Sequence, residues 1–418
     1  MKKLLFFVAL CIAHLMQGQL LVTSYPISAK DLAFEPISNK LYLTLPSDYG
    51  TNGNSIGIFN YQNMSMEKTV FVGSEPTRMA VSNDGKYIYT AFSGSSTVRR
   101  LNLLTKTADI QFQLGNDPVN GPFYAYDLTV MPNNSETVAI SRTTASTSQF
   151  YGTAIYDNGV ARPVNTTSTL PNKSSYLIRF SKDSVIWGFN NQNSSKEFNK
   201  IRVNSSGCTD ILNIGNFLSN SGITNFEIDN DKSTAYFDFG TVVDLSNGSP
   251  YVLGTFNGGN GRVAYDKNND IVCYAVGNGS TIPVFKRYNP QTFLAMDNTV
   301  VGTSNEVVIK AVACKNGYYA FITTNNLYVL ADIQLSAINT KFNSDLFVYQ
   351  SGNDLFIQNA DITEVNITDL RGIVSVHESG SSNRINIANL SSGVYIINAK
   401  DVNGKSYNTK LIKRQAIN

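Results

Sequence analysis

Apolar and polar positions along the chain recur in one unit: an apolar-x-apolar triplet, a short turn of Asp, Asn, Gly or Ser, then a second apolar or aromatic run. The clearest copy is Met79-Ala80-Val81, the turn Ser82-Asn83-Asp84-Gly85, and Tyr87-Ile88-Tyr89. Others begin at Leu32, Leu128, Ile178, Phe226, Val263 and Val312. The triplets end at Phe34, Val81, Val130, Phe180, Ile228, Tyr265 and Cys314, which stand 47, 49, 50, 48, 37 and 49 residues apart. Val, Ile, Tyr and Phe in the second runs suit a pleated surface, and the polar turns are too short for helices. Further strand-like runs, such as 97–103 and 108–114, bring each unit to about four strands. Helical periodicity is nearly absent.

Seven units of this size predict an all-β fold, a seven-bladed β-propeller over residues 20–335. A ring of sheets must close, because an open last sheet leaves a row of unpaired backbone groups. The last unit supplies only three runs, 310–314, 318–323 and 327–331, so residues 20–25 are expected to add its fourth strand. Near Asp332 the rhythm changes. Seven short alternating runs, separated by Gly, Asn, Asp and Ser, then predict a small Ig-like β-sandwich over 339–418.

The repeated unit resembles that of the YVTN and lactonase-like propellers, most visibly in Val81-Ser82-Asn83-Asp84-Gly85-Lys86-Tyr87-Ile88-Tyr89-Thr90. The resemblance implies the propeller fold and says little about activity, since one fold serves many functions. The last segment is similar to the type A C-terminal sorting domain of the type IX secretion system of Bacteroidota. The matching residues are Val365-Asn366-Ile367-Thr368-Asp369-Leu370-Arg371-Gly372, then Ile387, Leu390, Gly393-Val394-Tyr395 and Lys410-Leu411-Ile412-Lys413. Residues 369–372 read as a hairpin turn, and 390–393 as a second turn leading into a buried Tyr strand. Asp369, Gly372, Gly393, Tyr395, Lys410 and Lys413 are the expected sorting-motif residues. An Asn-Pro pair common near the start of such domains is replaced here by Tyr349-Gln350-Ser351-Gly352-Asn353. The resemblance implies the type IX secretion machinery as a partner and release or anchoring at the outer cell surface. An ordinary adhesive β-module is the alternative.

Residues 1–19 read as an export signal: Lys2 and Lys3, an apolar run over 4–13, then a polar stretch ending in Gly18 and Gln19. The run is shorter than the roughly 20 residues that span a bilayer. A buried first helix is the alternative, and no later stretch is apolar enough to cross a membrane. Leu10 before Cys11 is too large for a usual lipoprotein signal. The net charge of +2 equals that of Lys2 and Lys3, so the remainder is near neutral and has no footprint for nucleic acid. Charged residues make up 15% of the chain against about 25% in an average domain, while aromatics reach 11%, which excludes a disordered chain. Cys208, Cys273 and Cys314 follow the signal; packed thiols are expected, a Cys273–Cys314 bridge being the alternative.

The two histidines, His14 and His377, lie outside the repeats, so the propeller has no histidine-based triad, zinc site or haem ligand. No phosphate-binding loop, dinucleotide fingerprint or nucleophile elbow occurs. Asp229-Asn230-Asp231 and Asp266-Lys267-Asn268-Asn269-Asp270 have calcium-like spacings, but turn formation explains both. No catalytic residue, metal or cofactor is therefore expected. Three residues before each triplet's end stand Asp31, Arg78, Asp127, Leu177, Asn225, Arg262 and Ala311. If the triplets form innermost strands, these positions ring one mouth of the central channel. There Asp31, Arg78, Asp127, Asn225 and Arg262 can hold a sugar, peptide or carboxylate, or else simply pair with one another. Tyr124, Tyr126, Phe150 and Tyr151, expected in or beside long inter-strand segments, can stack on carbohydrate, whereas Trp187 is expected in the core. The expectation is a secreted or surface-attached propeller that binds an extracellular ligand without catalysis. A carboxylate-dependent, lactonase-like hydrolase and a structural surface-layer component are the alternatives.

Overall fold

The computed structural model describes residues 20–145, 149–166, 174–192, 194, 196–218, 222–332, 347–351, 353–358, 361–369, 373–380, 383–391 and 393–413. The expected signal at 1–19 and the motif residue Gly372 lie outside them. The chain divides into two compact units, Met1–Ile333 and Gln334–Asn418.

In the first unit, seven antiparallel sheets follow one another along the chain, over 32–71, 76–113, 116–161, 177–214, 226–255, 262–300 and 308–332. Each begins with its innermost strand, save the third, where the short strand Asn116–Asp117 precedes it, and the expected triplets fall on the innermost strands or, at Cys314, one residue beyond. The innermost strand of every sheet touches that of the next, and that of the seventh touches that of the first, so the sheets form a closed ring. Local chemistry makes the hairpins. In the second sheet the Ser82 hydroxyl accepts from the backbone N–H of Lys86 (3.1 Å) and Tyr87 (3.0 Å) and donates to Asp84 (2.8 Å). Gly85 follows at φ 66°, where a Cβ would meet the Glu35 carboxylate of the first sheet at 2.7 Å. Both the positive φ and the close approach require glycine there.

Burial joins the sheets in pairs. Leu41, Leu43 and Phe59 of the first sheet pack against Ala320, Ile322, Leu327 and Val329 of the seventh. Met131, Ala139 and Ile155 of the third pack against Ile178, Phe180, Ile186 and Ile201 of the fourth. Phe285 of the sixth faces Tyr319 of the seventh at 5.3 Å between ring centroids. Trp187 is buried as expected, stacked on Phe198 at 5.0 Å. All three described cysteines are buried free thiols, so no bridge joins Cys273 to Cys314. Burial pushes the Cys208 thiol up to about 12, and it donates to the Thr153 carbonyl at 3.0 Å.

The ring closes as the unit count required. Strand Leu20–Pro26 pairs antiparallel with Asn326–Asp332 over its whole length, from Leu20 opposite Asp332 to Pro26 opposite Asn326. Two buried polar clusters support this last sheet. Arg287 of the sixth sheet pairs with Asp297 beside it and with Asp332 of the seventh. Glu306 accepts hydrogen bonds from Ser304 (2.8 Å), Asn326 (2.9 Å), Tyr328 (3.0 Å) and Thr323.

The third sheet departs from the four-strand expectation. Its two inner strands, Gly121–Met131 and Asn134–Thr144, run to 11 residues each, and the sheet has five strands. Tyr124, Tyr126, Phe150 and Tyr151 therefore lie within the strands themselves. Their apolar rings drive that extension by packing together: Phe123 on Tyr151 (5.2 Å), Tyr126 on Tyr176 (5.1 Å) and Phe150 on Tyr176 (5.4 Å).

Among the described residues of the second unit lie the seven short strands read from its rhythm, arranged in two sheets of three and four. Leu355, Ile357 and Ile385 from one sheet and Val365, Ile367, Ile397 and Leu411 from the other share one apolar core.

Deleting Leu20–Pro26 leaves the Asn326–Asp332 edge bare and should lower the melting temperature by on the order of 10 °C, measured by calorimetry; an unchanged value would contradict this closure. Acid sensitivity should follow Glu306. Burial raises its carboxyl, but its hydrogen bonds outweigh that and hold it below the ordinary value of 4.5. A depressed folded-state pKa contributes stability above the unfolded value that disappears as pH falls through the folded one. Glu306→Gln should accordingly be less stable than the native protein at pH 7, with the difference shrinking as pH falls below 4.5, read from urea unfolding.

Candidate functional site

Six of the seven innermost strands line a polar channel of about 350 Å³. It runs from Asp31, Arg78 and Asp127 at one mouth to the turn residues Asn83, Pro132 and Asn230 at the other end. Three of these strands are bulged close to the first mouth: at Pro76/Arg78, at Ala125/Asp127 and at Val308/Lys310. A bulge inserts one residue and re-aims the next side chain. Here the re-aimed residues are Arg78, Asp127 and Lys310, all on the channel wall.

The aspartates at the mouth hold sheets together. Asp31 accepts from the N–H of Leu32 (2.9 Å) in its own sheet and of Met79 (2.8 Å) in the second. Asp127 of the third sheet accepts from Ile178 N–H (2.9 Å) and the Arg179 guanidinium (2.7 Å) of the fourth. Asp238 of the fifth accepts from Thr224 and Asn225 N–H (3.0 Å each), Val263 N–H of the sixth (2.9 Å) and Arg262 (3.0 Å). All three are buried. Each carboxylate bridges one sheet to its successor, using backbone donors that an innermost strand cannot satisfy within its own sheet.

Two arginines complete these joints. Arg179 donates to Phe226 O (3.2 Å), Ile178 O (2.6 Å), Asp127 and Asn225, spanning the third, fourth and fifth sheets. Arg262 donates to Gly222 O (3.1 Å), Asp238 (3.0 Å) and Val308 O (3.4 Å). Of the five residues expected at the mouth, Asp31, Arg78 and Asp127 face the channel, whereas Asn225 and Arg262 stand outside its lining. The structure adds Arg179, Glu227 and Lys310 to the wall. Arg179 and Glu227 occupy the middle of their triplets, where the other repeats carry Ala33, Ala80, Thr129, Ala264 and Ala313. That break in small-residue usage was the available signal. Lys310 was hidden by its bulge.

The calcium-like turns hold their own backbone. Asp229 accepts from Asp231 N–H (3.1 Å), and Asp266 from Asn268 and Asn269 N–H (3.1 Å each). No group of acidic, histidine or cysteine side chains suited to a metal occurs among the described residues.

In the second unit, the motif residues gather at one end of the four-stranded sheet, Asp369 paired with Tyr395 and Gly393 with Lys413. Asp369 accepts from Ile373 N–H (3.0 Å), four residues on. The Tyr395 hydroxyl donates to Ser391 O at 3.0 Å. Lys413, buried, donates to the carbonyls of Ala388 (3.1 Å), Leu390 (2.6 Å) and Ile387. Lys410 lies in the last strand, Ser406–Lys413. Lys413 thereby ties strand Ser406–Lys413 to the turn before Gly393.

Arg262→Ala strips the fully buried Asp238 of its cation and should destabilise the first unit by about 3 kcal/mol. Arg78→Ala removes a side chain with no hydrogen bond or ion pair among the described residues and should shift stability by less than about 0.5 kcal/mol. Thermal unfolding of both variants separates the two roles. Lys413→Met leaves three carbonyls without their shared donor and should lower the stability of the second unit by about 2 kcal/mol, seen as faster tryptic cleavage after residue 334.

Residues 351–414 match the family described as "Secretion system C-terminal sorting domain". Such a domain directs its chain to secretion and to the outer cell surface, with the type IX machinery as partner. No helix among the described residues is long and apolar enough to cross a membrane. No curated protein matches the chain. Among solved structures, it is similar to Kuenenia stuttgartiensis hydrazine synthase, with a TM-score of 0.57 and 11% identity over 76% of this chain and 99% of that one. It is similar also to the Cps50 (Swd1) β-propeller domain of Myceliophteria thermophila, with a TM-score of 0.55 and 10% identity over 73% and 98%. At these identities the likeness concerns fold alone, and the fold of the first unit is a β-propeller.

Proposed function

We propose that residues 20–335 form a seven-bladed propeller of the YVTN type that binds an extracellular ligand at its channel mouth and catalyses no reaction. In this reading an export signal at 1–19 precedes it, and an Ig-like sorting sandwich at 339–418 follows, in a protein of the Bacteroidota type IX system. Seven sheets in a closed ring support the blade count, and two facing sheets around one core support the sandwich.

The observation that carries the binding reading is how the charges at the mouth are used. A carboxylate-dependent hydrolase needs an acid or base free to exchange a proton with substrate. Asp31 and Asp127 on the channel wall, and Asp238, are each occupied by backbone N–H groups or arginine, which leaves Glu227 with one free oxygen and, among the described residues of the wall, no second free carboxylate to share the acid and base roles. Arg78, in contrast, faces the channel with no hydrogen bond or ion pair among the described residues. An arginine in that state is a recognition group, able to grip two oxygens at once.

A glycan and peptide array probed with the secreted protein should give hits that Arg78→Ala loses, and turnover of lactones by pure protein would overturn the reading. Removing residues 339–418 should hold the propeller in the periplasm, and its continued appearance at the cell surface would contradict the export assignment.

A further inference from the structure

Six charged side chains line the channel: Arg78, Arg179 and Lys310 against Asp31, Asp127 and Glu227. They balance formally, but not in practice. Asp31 and Asp127 are held by backbone N–H groups, and Arg179 is used by Asp127, Asn225 and two carbonyls. Three groups are left over. Arg78 and Lys310 make no hydrogen bond or ion pair among the described residues. Glu227 accepts from Asn225 at 2.9 Å through one oxygen only, and the other is unpartnered. Burial lowers the pKa of the Lys310 ammonium, against the attraction of Glu227 and Asp31, and Arg179 and Arg78 lower it further. A buried ammonium that forms no ion pair, beside an arginine that forms none either, is unfavourable, and an anion lodged between them relieves the penalty.

Resting on the binding reading above, we propose that the mouth takes a small organic carboxylate with a hydrogen-bond donor on a neighbouring carbon. Arg78 and Lys310 hold the anion, and the free oxygen of Glu227 accepts the donor. Other ligand classes fit less well. A neutral sugar leaves both cations uncompensated, whereas sulfate meets the cations but offers Glu227 no hydrogen-bond donor. The channel, at about 350 Å³, has room for a molecule the size of a sugar acid or an amino acid. These two sources share the chemistry and differ in the donor, a hydroxyl in one and an ammonium in the other.

Calorimetric titration of the full secreted chain with D-glucuronate, L-alanine, D-glucose and sulfate tests the proposal. At least one of the first two should bind, at least tenfold more tightly than glucose or sulfate, and whichever binds identifies the source. Arg78→Gln and Lys310→Met should each weaken that binding tenfold or more, and Glu227→Gln should weaken it as well. Failure of both carboxylates to bind, glucose binding equally well, or affinities unmoved by the three variants would overturn the proposal. Hits on the glycan and peptide array that persist in such a case leave the broader binding reading standing, so the two failures are distinguishable. A second readout needs no ligand. Because neither cation is paired, Arg78→Gln and Lys310→Met should leave the melting temperature unchanged or higher, and a fall of more than about 5 °C would show them partnered within the fold and overturn the proposal.

Discussion

No sheet of the ring can hide both its faces alone. The second runs place large side chains on both sides of each sheet, and these meet partners only in the sheets before and after, as Leu41 and Phe59 do with Ile322 and Val329. Burial of this kind is strong but non-directional, and it does not fix how far one sheet turns relative to the next. Direction comes from a few polar joints at the inner edge, where Asp31, Asp127 and Asp238 each reach across to a backbone N–H of the following sheet. An innermost strand has a free edge toward the axis, and these carboxylates occupy part of it.

The same constraint shapes what the mouth can do chemically. Most of the ionisable groups there are fixed by the architecture, and the arginines that accompany them fill the remaining donor positions. What is free to meet a ligand is therefore the small residue of charge that the joints leave unused. A polar channel mouth is in this sense two overlapping systems, one holding sheets and the other facing solvent. Residue type alone does not say to which system a side chain belongs: Arg78 and Arg262 occupy equivalent positions in their repeats and take opposite roles.

That point also marks how far the chain could be read before its structure was described. Triplets such as Met79-Ala80-Val81 and the Asn-Asp-Gly turn reveal hairpins because strand propensity and turn chemistry act locally. The closing strand followed from counting strands in the last unit, and the seven strands of the second unit followed from their alternation. The commitments of charged groups are not local. Arg262 is engaged because Asp238 sits in a short irregular segment with Phe239 at φ 66°, which carries no repeat signature. Lys310 reaches the wall through a bulge, and a one-residue insertion is invisible to a two-residue period. The long strands of the third sheet owe their extra length to ring contacts with Tyr176, which lies beyond the sheet's last strand.

The seam between Leu20–Pro26 and Asn326–Asp332 has a bearing on the order of events in folding. Thr23 bonds Val329 across 306 positions of sequence, so strand Leu20–Pro26 finds its partner only after the entire ring has been synthesised. Pairings at such separation form late and slowly. Until then the early sheets are an open arc with exposed ends. A chain built this way locks once, when its last sheet has formed.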